Sequence, residues 1–484
     1  MAQRPVEREA TLSAAARAGE EPPSRRRWAV LSVLAAVAFM AQLDLFIVNV
    51  ALPAMARSLQ NAPLSDLSWV LNAYAIAFAA LLVPMGRLAD HLGRRRFLLL
   101  GVAAFTAGSA ICAAAPSLAV MVGGRVVQAA GAAMIVPTSL GLLYPAFPKN
   151  EHSKVVGIWA GVAAAAATSG PAIGGLLVEV NWRLIFLINL PIGIATIVAG
   201  LRILPEVRAR KSARLPDPLS AVVLVATLAV LTFATVQSSA WGWGGARTIV
   251  LLAVAAVTGI ITVWRTVTHP HALIEASLFR SRQFTTATVA LFLFFLGLAA
   301  WLLLNVLLFE DEWHWSVVKA GVALIPGPFM TAVFAVNAGR VAGRVGRVVP
   351  AVAGPLLFAG GAVFWVAASA VQPDYGLFVP GMIIAGSGAG LTQAPLFAAA
   401  GTLAPDRAAT GSAVLTMARQ VGSAIGVAIL VTILASGHGI SGYQHGFDFI
   451  IIVMAACGVT SAASAFLGRT ARVSWPKSRP SAAH

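Results

Sequence analysis

Charge is scarce in this chain: Asp, Glu, Lys and Arg together make up 11% of 484 residues, and only 18 are acidic. Water-soluble domains carry about 25% charged residues, so an ordinary soluble protein is excluded. Cysteine is nearly absent. Its two copies, Cys112 and Cys457, both lie in apolar runs, which excludes a disulfide scaffold and a cysteine metal site. No Gly-x-x-x-x-Gly-Lys-Ser/Thr loop occurs, so ATP hydrolysis through a P-loop is excluded. What is present is apolar surface: 58% of the residues are hydrophobic and the mean hydropathy is +0.83. Only an all-α polytopic membrane protein uses so much of it.

A helix needs about 20 residues to cross the hydrocarbon core. Fourteen runs of that kind begin near Trp28, Trp69, Phe97, Leu118, Val155, Arg183, Leu219, Thr248, Phe284, Val317, Pro350, Leu377, Ala409 and Phe447. Residues 1–27 are polar and are expected to be a disordered cytoplasmic N-terminus. Arg25, Arg26 and Arg27 precede an apolar run too long for a signal peptide, so the first span is expected to remain uncleaved. Fourteen spans place both termini in the cytoplasm. That topology puts 28 Lys and Arg inside and leaves only Arg57, Arg183, Arg247 and Lys319 outside, as the positive-inside rule requires. The net charge of +16 thus belongs to plasma-membrane topology and anionic lipid rather than to nucleic acid. Trp69, Trp182, Trp241, Trp243, Trp313 and Trp315 fall at predicted outer ends and read as an interfacial belt.

The chain also repeats itself. Gly86-Arg-Leu-Ala-Asp-His-Leu-Gly-Arg94 matches Gly339-Arg-Val-Ala-Gly-Arg-Val-Gly-Arg347 at five of nine positions, 253 residues apart. Gly170-Pro-Ala-Ile-Gly174 matches Gly422-Ser-Ala-Ile-Gly426 at four of five, 252 apart. Two matches at nearly one offset predict parallel six-helix halves, an architecture of transporters. The expected organisation is a bundle over 28–205, a linker with two additional spans over 206–283, a second bundle over 284–467, and a cytoplasmic tail over 468–484.

In the loop Gly86–Arg96, glycines let helix ends turn and approach closely, and Asp90 stands four residues before Arg94, within pairing reach. The segment resembles motif A of the major facilitator superfamily. The resemblance implies the major facilitator fold and assigns Gly86, Asp90, Gly93, Arg94 and Arg95 to a cytoplasmic gate. In the second-half copy Gly343 replaces the acid, which implies a weaker latch there. The fifth span carries Gly157, Gly170, Pro171, Gly174 and Gly175, small residues that permit close helix packing and a proline that frees a carbonyl. It resembles motif C, the antiporter motif, with Ala166 in place of one glycine; in that family the motif marks exporters. Leu43–Pro53, Trp182–Gly193, Leu273–Phe279 and Arg419–Gly422 resemble segments typical of fourteen-span drug:proton antiporters.

Asp44 is the only carboxylate deep in any predicted span. An acid there costs about 2.5–3.5 kcal/mol on insertion scales and marks a functional position. Arg125 opens Arg-Val-Val-Gln-Ala-Ala-Gly131, which resembles motif B with Ala129 in place of a glycine. A buried guanidinium keeps its proton and needs a partner; Asp44, Gln128 and backbone carbonyls are the candidates. Asp44 and Arg125 are thus expected to couple protons. For Arg419 and Gln420, packing and functional roles stand even. Glu310, Asp311 and Glu312 read as a solvated outer cluster. Asn49, Asn72, Tyr74, Gln128, Phe294, Trp301, Asn305 and Gln393 are candidates for the substrate cavity by position along their spans.

The resemblance implies a proton-coupled antiporter that exports hydrophobic small molecules, drugs or antibiotics, by alternating access. It implies a monomer in membrane lipid, driven by the proton gradient, with no cofactor, no metal and no enzymatic activity. A proton-coupled symporter or permease for a small metabolite is the alternative, against which motif C argues. An integral membrane transferase is a further one; its chemistry wants clustered acids for a metal, and the spans contain a single carboxylate.

Overall fold

The structure is a computed structural model. It describes residues 24–59, 64–148, 151–207, 217–269, 272–315, 317–346, 348–370, 374–403, 407–436 and 440–470. Of the segment 1–27 expected to be disordered, residues 24–27 instead open the first long helix, and of the expected tail over 468–484, residues 468–470 close the last one; residues 1–23 and 471–484 lie outside the described residues. Among the described residues there are helices and no strands. Backbone polar groups in hydrocarbon find partners only within a helix or a closed barrel, and the apolar runs adopt the first solution.

The long helices are α1 (Ser24–Ser58), α2 (Leu64–Leu92), α3 (Arg94–Ala114), α4 (Leu118–Ala146) and α5 (His152–Val180). Next come α6 (Leu184–Ile203, broken at Ile188), α7 (Pro218–Trp241) and α8 (Ala246–Thr268). The second half holds α9 (Arg282–Leu307), α10 (Pro326–Val345), α11 (Val348–Ala370), α12 (Tyr375–Phe397), α13 (Ala408–Ser436) and α14 (Ile440–Thr470). Among the described residues thirteen spans are long and apolar enough to cross a membrane. The exception to the expected fourteen is α5: it is 29 residues long, but its described apolar stretch covers only Lys154–Ala163.

Helices α1–α6 pack among themselves, as do α9–α14, while α7 and α8 pair with each other and α7 leans on α2 and α13. The repeat continues in the packing. Gly101 and Gly108 seat α3 against α4, and Gly354 and Gly361, each 253 residues later, seat α11 against α12. Asp217 caps α7 by accepting from the Ser220 amide at 2.8 Å, and it pairs with Arg265 of α8. Those contacts hold the Asp217 carboxyl well below the usual carboxylate range, the Arg265 hydrogen bond first among them.

The end of the bundle holding the Gly86–Arg96 loop is called the loop end. At the other end, Arg183 lies over Trp182 at 4.3 Å, Arg247 over Trp241 at 5.8 Å and Lys319 over Trp315 at 3.9 Å. Three of the four basic residues expected outside therefore stack on belt tryptophans. Trp182 and Trp313 are nevertheless buried; they pack into the helix ends instead of projecting from them.

Candidate transport site

Between the halves lies a cavity of about 310 Å³. From the first half it is lined by Gln42, Leu45 and Phe46 of α1, Phe78 of α2, and Trp159 and Ala163 of α5. From the second half come Phe295 and Leu302 of α9, Gln393 of α12, and Thr416, Arg419 and Gln420 of α13. A small, mostly apolar chamber with a few polar groups is how small-molecule sites are built.

Behind the α1 wall sits a fully enclosed polar cluster. Asp44, Arg125, Gln128, Asn189 and Ser109 all have no exposed surface. Arg125 Nη1 donates to Asp44 Oδ2 at 2.5 Å, and Gln128 Nε2 and Asn189 Nδ2 donate to Oδ1 at 3.0 and 2.9 Å. Arg125 also donates Nε to the Val70 carbonyl at 2.9 Å and lies 4.2 Å above the Tyr74 ring. Among the described residues one guanidinium nitrogen, Nη2, remains buried without a hydrogen-bond partner. A buried pair of charges is tolerable only when its remaining lone pairs and protons are bonded, and α1, α2, α3, α4 and α6 supply all of those bonds but the one at Nη2. Asn189 and Ser109 were not anticipated from sequence. Asn189 stands inside the Trp182–Gly193 segment, whose resemblance was the available signal.

The loop end is closed by contacts between the halves. Asp90 Oδ2 accepts from the Thr410 amide at 2.8 Å and its hydroxyl at 2.7 Å, while Oδ1 accepts from Arg94 Nε at 2.8 Å. The Thr410 amide is one of the unpaired donors in the first turn of α13, where the helix dipole also favours an anion. A Cβ on Gly86 would fall 2.6 Å from Ala413 Cβ, so only glycine lets α2 lie this close to α13. The Tyr144 hydroxyl donates to the Phe397 carbonyl at 2.7 Å.

A family model, that of the Major Facilitator Superfamily, matches residues 34–427. The chain belongs to that superfamily. It is 33% identical to the multidrug resistance protein Stp of Mycobacterium tuberculosis, over 82% of this chain and 74% of that protein. It is 35% identical to the tetracenomycin C resistance and export protein of Streptomyces glaucescens, over 86% and 77%. A solved human organic anion transporter superposes with a TM-score of 0.66 over 91% of this chain and 100% of that one; at 15% identity the likeness is one of fold. The protein is therefore a multi-pass membrane transporter of the major facilitator fold.

Within this fold the motif residues separate by geometry. Asp90, Arg94 and Gly86 meet at the α2–α13 contact. Arg94 also donates to the Gly141 carbonyl at 2.7 Å. Arg95, expected beside it, instead reaches the Leu201 carbonyl of α6, because neighbouring residues on a helix point about 100° apart. Gly93, with φ of 108°, makes the α2–α3 turn in a conformation that only glycine adopts freely. Of the fifth-span motif, Gly170 and Gly174 press α5 onto Phe46 and Ile47 of α1, whereas Gly157 meets Ala335 of α10, across the two halves. Gly175 faces open space. The Pro171 side chain lies outside the described residues.

Most of the expected cavity residues are elsewhere. Gln393 lines the cavity. Gln128 belongs to the Asp44 cluster, and Tyr74 lies beneath Arg125. Phe294 and Trp301 pack into an aromatic core in the second half, Trp301 stacking on Trp365 at 4.9 Å. Asn305 donates to the Trp301 carbonyl one turn back, at 2.6 Å. Asn72 is half-buried away from the cavity wall. The Asn49 side chain lies outside the described residues, as do those of Glu310 and Asp311; Glu312 is half-buried. Depth along a span does not determine which way a side chain faces.

The linker adds a contact that the motifs did not announce. Glu275 pairs with Arg87 of α2 at 2.6 Å and with Arg407, just before α13, at 3.0 Å. Burial alone would raise the Glu275 carboxyl, but the two guanidiniums outweigh it and hold it below the usual glutamate range. A carboxylate lowered in this way contributes stability at neutral pH that is lost as pH falls through the lowered value.

Asp90→Asn is expected to slow transport severalfold and leave substrate affinity within a few-fold. It removes a buried charge from Arg94 and weakens the acceptor for Thr410, while the cavity wall is untouched. Equilibrium binding and uptake measured on one preparation check this. Lost binding with normal cycling would overturn the gate assignment.

Proposed function

We propose that this protein is a proton-coupled antiporter that exports hydrophobic small molecules, drugs or antibiotics, from the cytoplasm by alternating access. The observation that carries the reading is the double-sided turn of α1. One face presents Gln42, Leu45 and Phe46 to the cavity, and the other buries Asp44 against Arg125, Gln128 and Asn189. A substrate pressing on that turn and a proton neutralising Asp44 act on one piece of backbone. Protonation would leave Arg125 buried without its counter-charge, an arrangement that costs several kcal/mol. Proton uptake therefore favours moving α1 and repacking the cavity wall. The names of the relatives, resistance and export proteins, agree with outward transport of antibiotics.

In this reading α5 is a true span, giving fourteen, with bundles over 28–205 and 284–467 and an inserted pair of helices over 206–283. Both termini and the loop end face the cytoplasm of the plasma membrane, and the closed loop end is the state sealed on that side. The protein works as a monomer in lipid, with no cofactor and no enzymatic activity. The test is to add compounds to energised inverted vesicles while following luminal protons. Antiport gives proton release from the lumen on addition. Proton movement into the lumen with the compound would indicate symport, and compound equilibration without proton movement would indicate a facilitator.

A further inference from the structure

Among the described residues the cavity wall carries one charged side chain, Arg419, and no carboxylate. Its guanidinium lies 5.1 Å over the Phe295 ring, and among the described residues it makes no hydrogen bond or ion pair. The nearest acid in kind, Asp44, is fully enclosed and bonded to three other side chains. The rest of the polar wall is neutral, the amides of Gln42, Gln393 and Gln420 and the hydroxyls of Thr331, Thr416 and Ser423. The chamber is therefore positive, with its cation uncompensated.

We infer that Arg419 is a specificity-determining residue that selects aromatic amphiphiles bearing a carboxylate. This rests on the export reading, in that the cavity is taken as the substrate site. Three properties of the site lead there. A guanidinium away from bulk water gains most from an anion that meets its planar fork with two parallel hydrogen bonds. The Phe295 ring lies against the guanidinium and takes up none of its N–H groups by hydrogen bonding, so they are available to a ligand. Trp159 and Phe295 offer surfaces on which an aromatic body stacks, and the glutamine amides can donate to further oxygens. A cationic ligand of the same shape meets a like charge and no acid to answer its own.

The test uses the purified full-length protein and three probes of one shape: 2-naphthoate, neutral 2-naphthamide and 2-naphthylmethylammonium. Saturable binding of radiolabelled naphthoate is measured, and the other two compete for it. A hydrogen-bonded charge pair contributes about 1.5–3 kcal/mol, so naphthoate should bind at least about tenfold more tightly than either analogue. Arg419→Gln should bring naphthoate to parity with the amide, and a monodisperse size-exclusion profile reports that the variant is folded. Arg419→Lys, which keeps the charge without the fork, should retain part of the preference. Parity in the wild type, a preference that survives in Arg419→Gln, or absence of saturable naphthoate binding would overturn the proposal. Proton release from vesicles with parity in binding would remove the anion site alone. The Arg419-dependent preference without proton release on naphthoate addition would support the site and count against coupled export.

Discussion

Asp44→Asn is expected to abolish accumulation against a gradient and to leave substrate binding in place. A membrane potential of 100 mV supplies about 2.3 kcal/mol per charge, which is roughly 50-fold accumulation for one proton exchanged against a neutral molecule. With no group at position 44 that takes up and releases a proton, that ratio should fall to about one, with slow downhill exchange surviving. The substitution also leaves Arg125 buried without a counter-charge, which costs about 3–5 kcal/mol when one partner of a buried pair is removed. Thermal stability should therefore fall in the single variant and recover in Asp44→Asn/Arg125→Gln, where both charges are gone. Accumulation should not recover with it. This pair of variants separates folding from coupling. Concentrative transport by either variant would remove Asp44 from the mechanism.

Gly157→Leu is the second change with a large expected effect. A Cβ at this position would collide with the Ala335 carbonyl of α10, a backbone atom that cannot rotate away. Overpacking costs about 1–3 kcal/mol, and here the cost falls only on the state in which α5 and α10 touch. The closed loop end should lose roughly 5- to 150-fold in population, and transport should fall with it. A cysteine placed at Thr410, which has no exposed surface, should then react faster with a membrane-impermeant maleimide in inverted vesicles. Gly175→Leu is the contrast: its Cβ would meet nothing within 4 Å, so it should transport normally although it belongs to the same motif. Equal loss in both variants would mean that the motif acts through something other than this contact.

These two glycines illustrate how far the residues could be read without coordinates. The fifth-span motif announced close packing, and Gly170 and Gly174 do pack closely on α1. Nothing in the spacing distinguished Gly157, where a side chain would meet the opposite half, from Gly175, where it would meet open space. The Asp90–Arg94 pair was legible because an acid and a base four residues apart lie within pairing reach, here across the Gly93 turn that joins α2 to α3. Its acceptance of the Thr410 amide, 320 residues later, was not, since the distance between those helices depends on how the halves close.

The sequence by itself determined the class of the molecule. Scarce charge, long apolar runs and an offset of about 250 residues admit few architectures, and an acid deep in the first run has few reasons to be there. Tertiary structure decided the rest of the site. It chose Arg125, Gln128 and Asn189 as the partners of Asp44, put Gln393 on the cavity wall and took Phe294, Trp301 and Asn305 away from it. It also gave the cavity Arg419 with no neighbouring acid. The physical reason is that helices in this bundle are apolar nearly all round. Their periodicity specifies a helix but not its rotation, and a polar residue satisfies itself equally well toward a neighbouring helix or a chamber. Only the packing of all the helices together sets that direction.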